Sequence, residues 1–145
     1  MENLTELKFF IVDDDIFCST MSNQCLINLN CTDITCFNNG KDCLNSLNQN
    51  PDIIFLDYYM NSVTGFEILN RIKQYDPNIY VVIVSSREDT KIALNAIKQG
   101  AYHYINKDSF ICDKMAIIIN KISEEKILLS KETPTVFNRI INVFK

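Results

Sequence analysis

The stretch "IVDDDIF" at residues 11–17 sets three consecutive aspartates between two apolar pairs. Like charges on adjacent residues repel, and no cation within the stretch neutralises them. The apolar run before the acids reads as a buried strand that ends at a polar rim. A metal ion could justify the acids, or a solvated turn could merely tolerate them. The rest of the chain bears on that choice, because the same kind of run recurs. "LKFFIV" (7–12) is followed by "CTDITCF" (31–37), "DIIFL" (52–56), "IYVVIV" (79–84) and "AYHYIN" (101–106). These runs are short, β-branched and aromatic. Several are apolar without alternation, as strands buried on both faces should be.

Amphipathic stretches separate the runs. Phe17, Met21, Cys25 and Leu29 step by four, with Leu26 widening the stripe. Cys43, Leu44 and Leu47 follow, then Ile68, Leu69, Ile72 and Tyr75. Ile92, Ala93, Ala96 and Ile97 come next, and Met115, Ile118, Ile119 and Ile122 complete the set. Gly100 stands where a helix C-terminal cap belongs, and Asp76-Pro77 marks the end of the third helix. Alternating strands and helices of this length predict an α/β fold: a doubly wound, five-stranded parallel sheet joined by right-handed crossovers. In such sheets ligands bind beyond the carboxyl ends of the strands.

The chain has 145 residues, 47% of them apolar and 22% charged, with only three Gly and three Pro. That suits one ordered domain with a core large enough to need no staples. A net charge of −4 speaks against direct nucleic-acid binding. No apolar run is long enough to span a membrane, and the acidic start "MENLTELKFF" lacks a signal peptide's basic region. A cytoplasmic location is therefore expected. The six cysteines show no metal-ligand spacing and read as reduced packing residues.

The residues closing the runs form a pattern: Asp13 and Asp14, then Asp57, Ser85 and Lys107. At one sheet edge they would bring three carboxylates, a hydroxyl and an ammonium together. Oxygen-only carboxylate sets suit a hard divalent cation, Mg²⁺ above all. Without one, two carboxylates ~4 Å apart repel by ~4 kcal/mol at an effective dielectric of 20. Such a site either binds metal or raises a pKa.

"FFIVDDD", "IIFLDYYM" with Gly65 eight residues after Asp57, "VVIVSS" and "AYHYINK" together resemble the receiver domain of two-component response regulators. The resemblance covers roughly residues 7–128. It implies a (βα)5 flavodoxin-like sheet of strand order 2-1-3-4-5. Asp57 would take a phosphoryl group from a histidine kinase or histidine phosphotransfer protein. Asp14, Asp57 and the backbone carbonyl of Tyr59 would ligate Mg²⁺, with Asp13 acting through water. Lys107 would neutralise a phosphoryl oxygen, and Ser85 would move to hydrogen-bond another. Tyr104 would then rotate inward and remodel the face made by the fourth helix, fifth strand and fifth helix; the apolar fifth helix makes a homodimer one use open to that face. The protein would be a signalling phosphoacceptor rather than a turnover enzyme. Asp15 is left to the start of the first helix, where a carboxylate favours free N–H groups.

The chain departs from the family pattern at Asn61, where Pro is frequent, at Ser86, and at Asp108 after the lysine. Tyr59 and Arg87 occupy positions that tune dephosphorylation in the family. Both are large and would keep water from the phosphoryl group, so slow self-dephosphorylation is expected. Two other readings compete. One is a receiver-shaped interaction module that does not respond to phosphate. The other resembles haloacid-dehalogenase-type phosphatases, with Asp13 as nucleophile, and leaves Asp57 unexplained. Domain limits are expected at 1–130 for the receiver. Residues 131–145 would be a C-terminal amphipathic tail helix or the start of a linker, beginning near Pro134 and carrying Val136, Phe137, Ile140, Ile141 and Phe144 on one face.

Overall fold

The computed structural model describes the backbone of residues 6–60 and 64–144, with side chains through Ser130. Strands β1 (Lys8–Val12), β2 (Asp33–Phe37), β3 (Ile53–Asp57), β4 (Tyr80–Ser85) and β5 (His103–Asn106) alternate with helices. These are α1 (Ile16–Asn28), α2 (Gly40–Asn45), α3 (Gly65–Tyr75), α4 (Thr90–Lys98) and α5 (Ile111–Phe144). All strand pairs are parallel, and the sheet order is β2-β1-β3-β4-β5. The expected doubly wound fold is therefore the one observed, with each strand within two residues of its run.

Burial explains the order. β1 and β3 lie inside the sheet, and Phe9, Phe10, Ile53, Ile54 and Leu56 are fully buried. Each such side chain contributes about 1.5–3 kcal/mol on leaving water. One core packs α1 and α5 on one face through Cys25, Leu26, Met115, Ile118, Ile119 and Ile122. The other packs α2, α3 and α4 through Cys43, Ile68, Leu69, Ile72 and Ala96. β2 is an edge strand whose residues are all half-buried or exposed, unlike the strands at the centre.

Local signals act where the chain turns. Asp15 caps α1, its side chain accepting from the N–H groups of Phe17 and Cys18. Gly100 follows α4 with φ +107°, a conformation that L side chains rarely adopt. Asp76 is extended at the end of α3, as the following proline demands.

Three expectations need correction. The stripe on α1 holds only in its second half: Cys25 and Leu26 are buried and Leu29 packs against them, but Phe17 is 71% exposed and Met21 43%, and Ser22 is buried in their place. The six cysteines are not all reduced packing residues. Cys25 and Cys112 are joined by a disulfide, their Cα atoms 5.3 Å apart across 87 residues of sequence. Packing of α1 on α5 creates this pair, so no local spacing announces it; Cys31 and Cys43 are buried thiols as expected, whereas Cys36 is exposed. Finally, α5 runs without interruption through Pro134, where a new helix was expected to begin. The side chains of the apolar face expected on Val136, Phe137, Ile140, Ile141 and Phe144 lie outside the described residues, as does Asn61.

Candidate functional site at the carboxyl edge of the sheet

Parallel register brings the strand ends level. Val12 faces Leu56 and Asp57 faces Val84, so Asp13 and Asp57 end adjacent strands at the same height. Ser85 faces Asn106, which puts Lys107 one residue beyond it. Backbone bonds extend the ladder past the strands. Asp13 donates to the Phe37 carbonyl at 3.0 Å, Tyr58 to Val84 at 2.9 Å, and Lys107 to Ser85 at 2.8 Å. Gly65 explains its own spacing from Asp57. A Cβ there would stand 2.8 Å from Tyr58 Cα and 3.1 Å from the Asp57 carbonyl, so glycine lets α3 begin against the strand end.

The three acids converge. One carboxylate oxygen from each of Asp13, Asp14 and Asp57 lies within 4.8 Å of the others. Asp13 and Asp57 are buried, at 6% and 4% exposure, and Asp14 is half-buried. The ammonium of Lys107 reaches between them, 2.8 Å from Asp13 Oδ2 and 3.3 Å from Asp57 Oδ1. Asp13 Oδ1 accepts from the Asp15 N–H at 2.9 Å, so both of its oxygens are engaged. Burial pushes the Asp57 carboxyl up to about 6, and the neighbouring Asp13 charge adds to the rise. The Lys107 charge and hydrogen bond and the Tyr59 N–H oppose it. Burial alone would lower Lys107, but its hydrogen bond to Asp13 and the charges of Asp57 and Asp13 leave it raised. The donor set is all oxygen and carries excess negative charge, which is the chemistry a hard divalent cation selects.

A second corner adjoins the first. Ser85 is fully buried, and its hydroxyl donates to the Arg87 carbonyl and accepts from the Arg87 N–H, each at 3.1 Å. The Tyr104 hydroxyl donates to the same carbonyl at 2.9 Å. Burial raises the Tyr104 phenol, partly countered by a hydrogen bond with Ser85. The Arg87 guanidinium lies 4.9 Å from the Tyr59 ring centroid, a cation–π contact beside the acids. All seven predicted residues thus occupy one edge. Sequence reasoning missed the sharing of the Arg87 carbonyl by Ser85 and Tyr104, because a backbone acceptor leaves no mark in residue types. It also missed the exposure of Ile16, Phe17 and Phe110 near this edge.

This sheet order thus carries acids at the ends of β1 and β3, a hydroxyl at the end of β4 and a lysine just after β5, the arrangement expected of a receiver domain. The family model of the response regulator receiver domain matches residues 9–119, and the chain belongs to that family. It is 31% identical over 115 residues to the DNA-binding transcriptional regulator NtrC of Escherichia coli, covering 79% of this chain and 24% of that protein. The chain thus spans about a quarter of the length of the NtrC relatives it matches. It is 29% identical over 119 residues to the chemotaxis protein CheY of Listeria monocytogenes, covering 81% of this chain and 99% of that one. Among solved structures, the receiver domain of the Francisella response regulator 1452 superposes with a TM-score of 0.74 at 25% identity. That match covers 83% of this chain and 98% of the other. NtrX from Brucella abortus superposes with a TM-score of 0.79 at 23% identity, over 88% of this chain and 29% of that one. Among the described residues, no helix is long and apolar enough to cross a membrane.

Proposed function

We propose that this chain is a Mg²⁺-dependent phosphoacceptor switch in which Asp57 carries the phosphoryl group. The observation that carries the reading is the convergence of Asp13, Asp14 and Asp57 around the Lys107 ammonium. Asp14, Asp57 and the Tyr59 carbonyl would hold Mg²⁺, with Asp13 bound through water; the ion would supply charge neutralisation for phosphoryl oxygens. The donor is a phosphohistidine of a histidine kinase or phosphotransfer protein. A carboxylate oxygen of Asp57 attacks phosphorus, the P–N bond breaks, and the imidazole leaves with the electron pair and takes up a proton. Lys107 stabilises the transferred oxygens from the position it already holds between Asp13 and Asp57. Exposed Ile16, Phe17, Met21 and Phe110 supply apolar contact for the donor protein beside this edge.

Ser85 then exchanges the Arg87 carbonyl for a phosphoryl oxygen. Tyr104 shares that acceptor, so the loop that releases Ser85 also loosens Tyr104, and the face of α4, β5 and α5 is remodelled. That face would serve a partner or a second copy of the chain. The NtrC relatives are DNA-binding regulators much longer than this chain, so any DNA contact would belong to a further domain. The chain works in the cytoplasm, as a signalling protein rather than a turnover enzyme. The phosphatase alternative is disfavoured because both Asp13 oxygens are engaged.

Incubation with Mg²⁺ and acetyl phosphate, followed by intact mass, tests the reading. One phosphoryl adduct that disappears in Asp57→Asn is expected. No adduct would leave the phosphate-independent module, and an adduct mapped to Asp13 would favour the phosphatase.

A further inference from the structure

We propose that Cys25 and Cys112 form a reversible thiol–disulfide site whose oxidised form clips α1 to the start of α5 and so holds the arm that carries Lys107. The two Cα atoms are 5.3 Å apart, within the span a disulfide bridges without backbone movement. The partners differ in access. Cys25 is 3% exposed, packed beside Leu26 in the core between α1 and α5, whereas Cys112 is exposed. Exposed disulfides are the labile ones, and a chain of this size has core enough to do without a staple. Both points favour a site that cycles over one that is permanent.

The position gives the bond its consequence. Cys112 is the second residue of α5 and lies five residues after Lys107. The segment between them is held by short-range bonds centred on Asp108. It accepts from the Phe110 N–H at 2.9 Å and from Lys114 Nζ at 2.7 Å, and its carbonyl accepts from the Ile111 N–H at 3.2 Å. A groove of about 380 Å³ runs alongside, lined by Phe17, Cys18, Met21, Lys107 and Ile111 among others. Its two walls, α1 and the Lys107 arm, are the elements the disulfide ties together. With the bond closed, this groove and the Lys107 arm form one body; with it open, the arm is held by β5, its own turn and the packing of Ile111 and Met115 alone, without a covalent tie to α1.

The exchange balances with a monothiol and its disulfide, such as glutathione. A glutathione thiolate attacks the Cys112 sulfur, forms a mixed disulfide there, and expels Cys25 as a thiolate that takes a proton. A second glutathione thiolate attacks the glutathione sulfur of the mixed disulfide. Cys112 leaves as a thiolate and is protonated, and one glutathione disulfide is released. Two electrons pass from two glutathiones to the cysteine pair.

The test equilibrates the folded chain in mixtures of reduced and oxidised glutathione, quenches it, alkylates it and counts labelled cysteines by mass. The expected count moves from four to six, with the two extra labels on Cys25 and Cys112. Four labels in a large excess of reduced glutathione, or six in oxidised glutathione, would overturn the proposal. Hydrogen exchange across residues 107–115 is expected to speed up on reduction, and Cys112→Ser is expected to exchange like the reduced protein in either buffer. Identical exchange in both redox states would remove the clip. The step from clip to phosphorylation rests on the phosphoacceptor reading. Lys107 already stands between Asp13 and Asp57 with the bond closed, so reduction is expected to slow Mg²⁺-dependent labelling by acetyl phosphate about fivefold or more, a modest coupling between sites. Equal labelling in the two states would overturn that step. No labelling in either state would count against the phosphoacceptor reading and leave the redox results to stand by themselves.

Discussion

The two corners of the site are built from opposite materials. At the ends of β1, β3 and β5, charges are forced together: two buried carboxylates, a third close by, and one ammonium wedged among them. At the end of β4, neutral groups crowd one backbone carbonyl, with Ser85 and Tyr104 both donating to Arg87. The first corner stores electrostatic repulsion, and a missing partner there is costly. The second holds neutral hydrogen bonds of about 1 kcal/mol each, cheap to exchange. Chemistry belongs where charge is concentrated, and switching belongs where bonds are easily traded.

The most severe way to break this contrast is Asp57→Asn. Phosphoryl incorporation from acetyl phosphate should fall to background, measured by intact mass. The same variant should stabilise the metal-free protein. Asp57 titrates near 6 when folded and near 3.8 when unfolded, so the folded state keeps the proton longer. Its contribution is full below about pH 4 and lost by about pH 6, a difference of about 3 kcal/mol across that window. Asn should remove this pH dependence, and chemical denaturation of both proteins from pH 4 to 8 without metal would show it. If both curves ran parallel, Asp57 would not carry the repulsion. Mg²⁺ affinity, read by titration calorimetry, should fall below about pH 6 as the carboxyl takes its proton.

Lys107→Ala takes the ammonium from two buried acids and should cost about 3 kcal/mol at pH 7 without metal. Saturating Mg²⁺ should restore much of that stability, because it replaces the lost positive charge. A thermal shift insensitive to Mg²⁺ would place the cation elsewhere.

Smaller effects belong to the neutral corner. Tyr104→Phe deletes one donor to the Arg87 carbonyl and should cost about 1 kcal/mol of stability, leaving phosphorylation rates intact. Arg87→Ala removes the cation–π contact with Tyr59, worth about 0.5–1 kcal/mol, and uncovers the aspartyl-phosphate. Its hydrolysis, followed by loss of the adduct with time, should become several-fold faster. Unchanged hydrolysis would mean that Tyr59 and Arg87 do not shield the phosphoryl group.

How much of this the sequence disclosed depended on the range of the forces involved. Strand ends were readable because apolar runs stop abruptly at Asp13, Asp57, Ser85 and Lys107, and parallel register does the rest. Phe17 and Met21 were misplaced on α1 because a step of four advances 400° per interval. The series from Phe17 to Leu29 therefore spirals about 120° off any single face. Three-and-four spacing through Ser22, Cys25 and Leu26 keeps the sheet-facing side. The Cys25–Cys112 bond was invisible because only tertiary packing brings its halves together. Pro134 suggested a helix start, and the helix passes straight through it.

The wedge made by Lys107 also bears on the valence of the cation proposed for this pocket. Three carboxylates and one ammonium leave the pocket at a formal −2 above the pKa of Asp57. A divalent cation brings that to zero, where a monovalent ion undershoots and a trivalent ion overshoots. Under the proposed reaction, esterifying Asp57 would exchange one negative charge for the two of a dianionic phosphoryl group, and the pocket would end at −1. The Arg87 guanidinium beside this edge is held over the Tyr59 ring, so it is not the group at hand to meet that last charge. A neutral O–H dipole is, and Ser85 carries it. In the proposed phosphoacceptor the residual charge would be a built-in pull on the Ser85 corner, turned on by phosphorylation and absent before it.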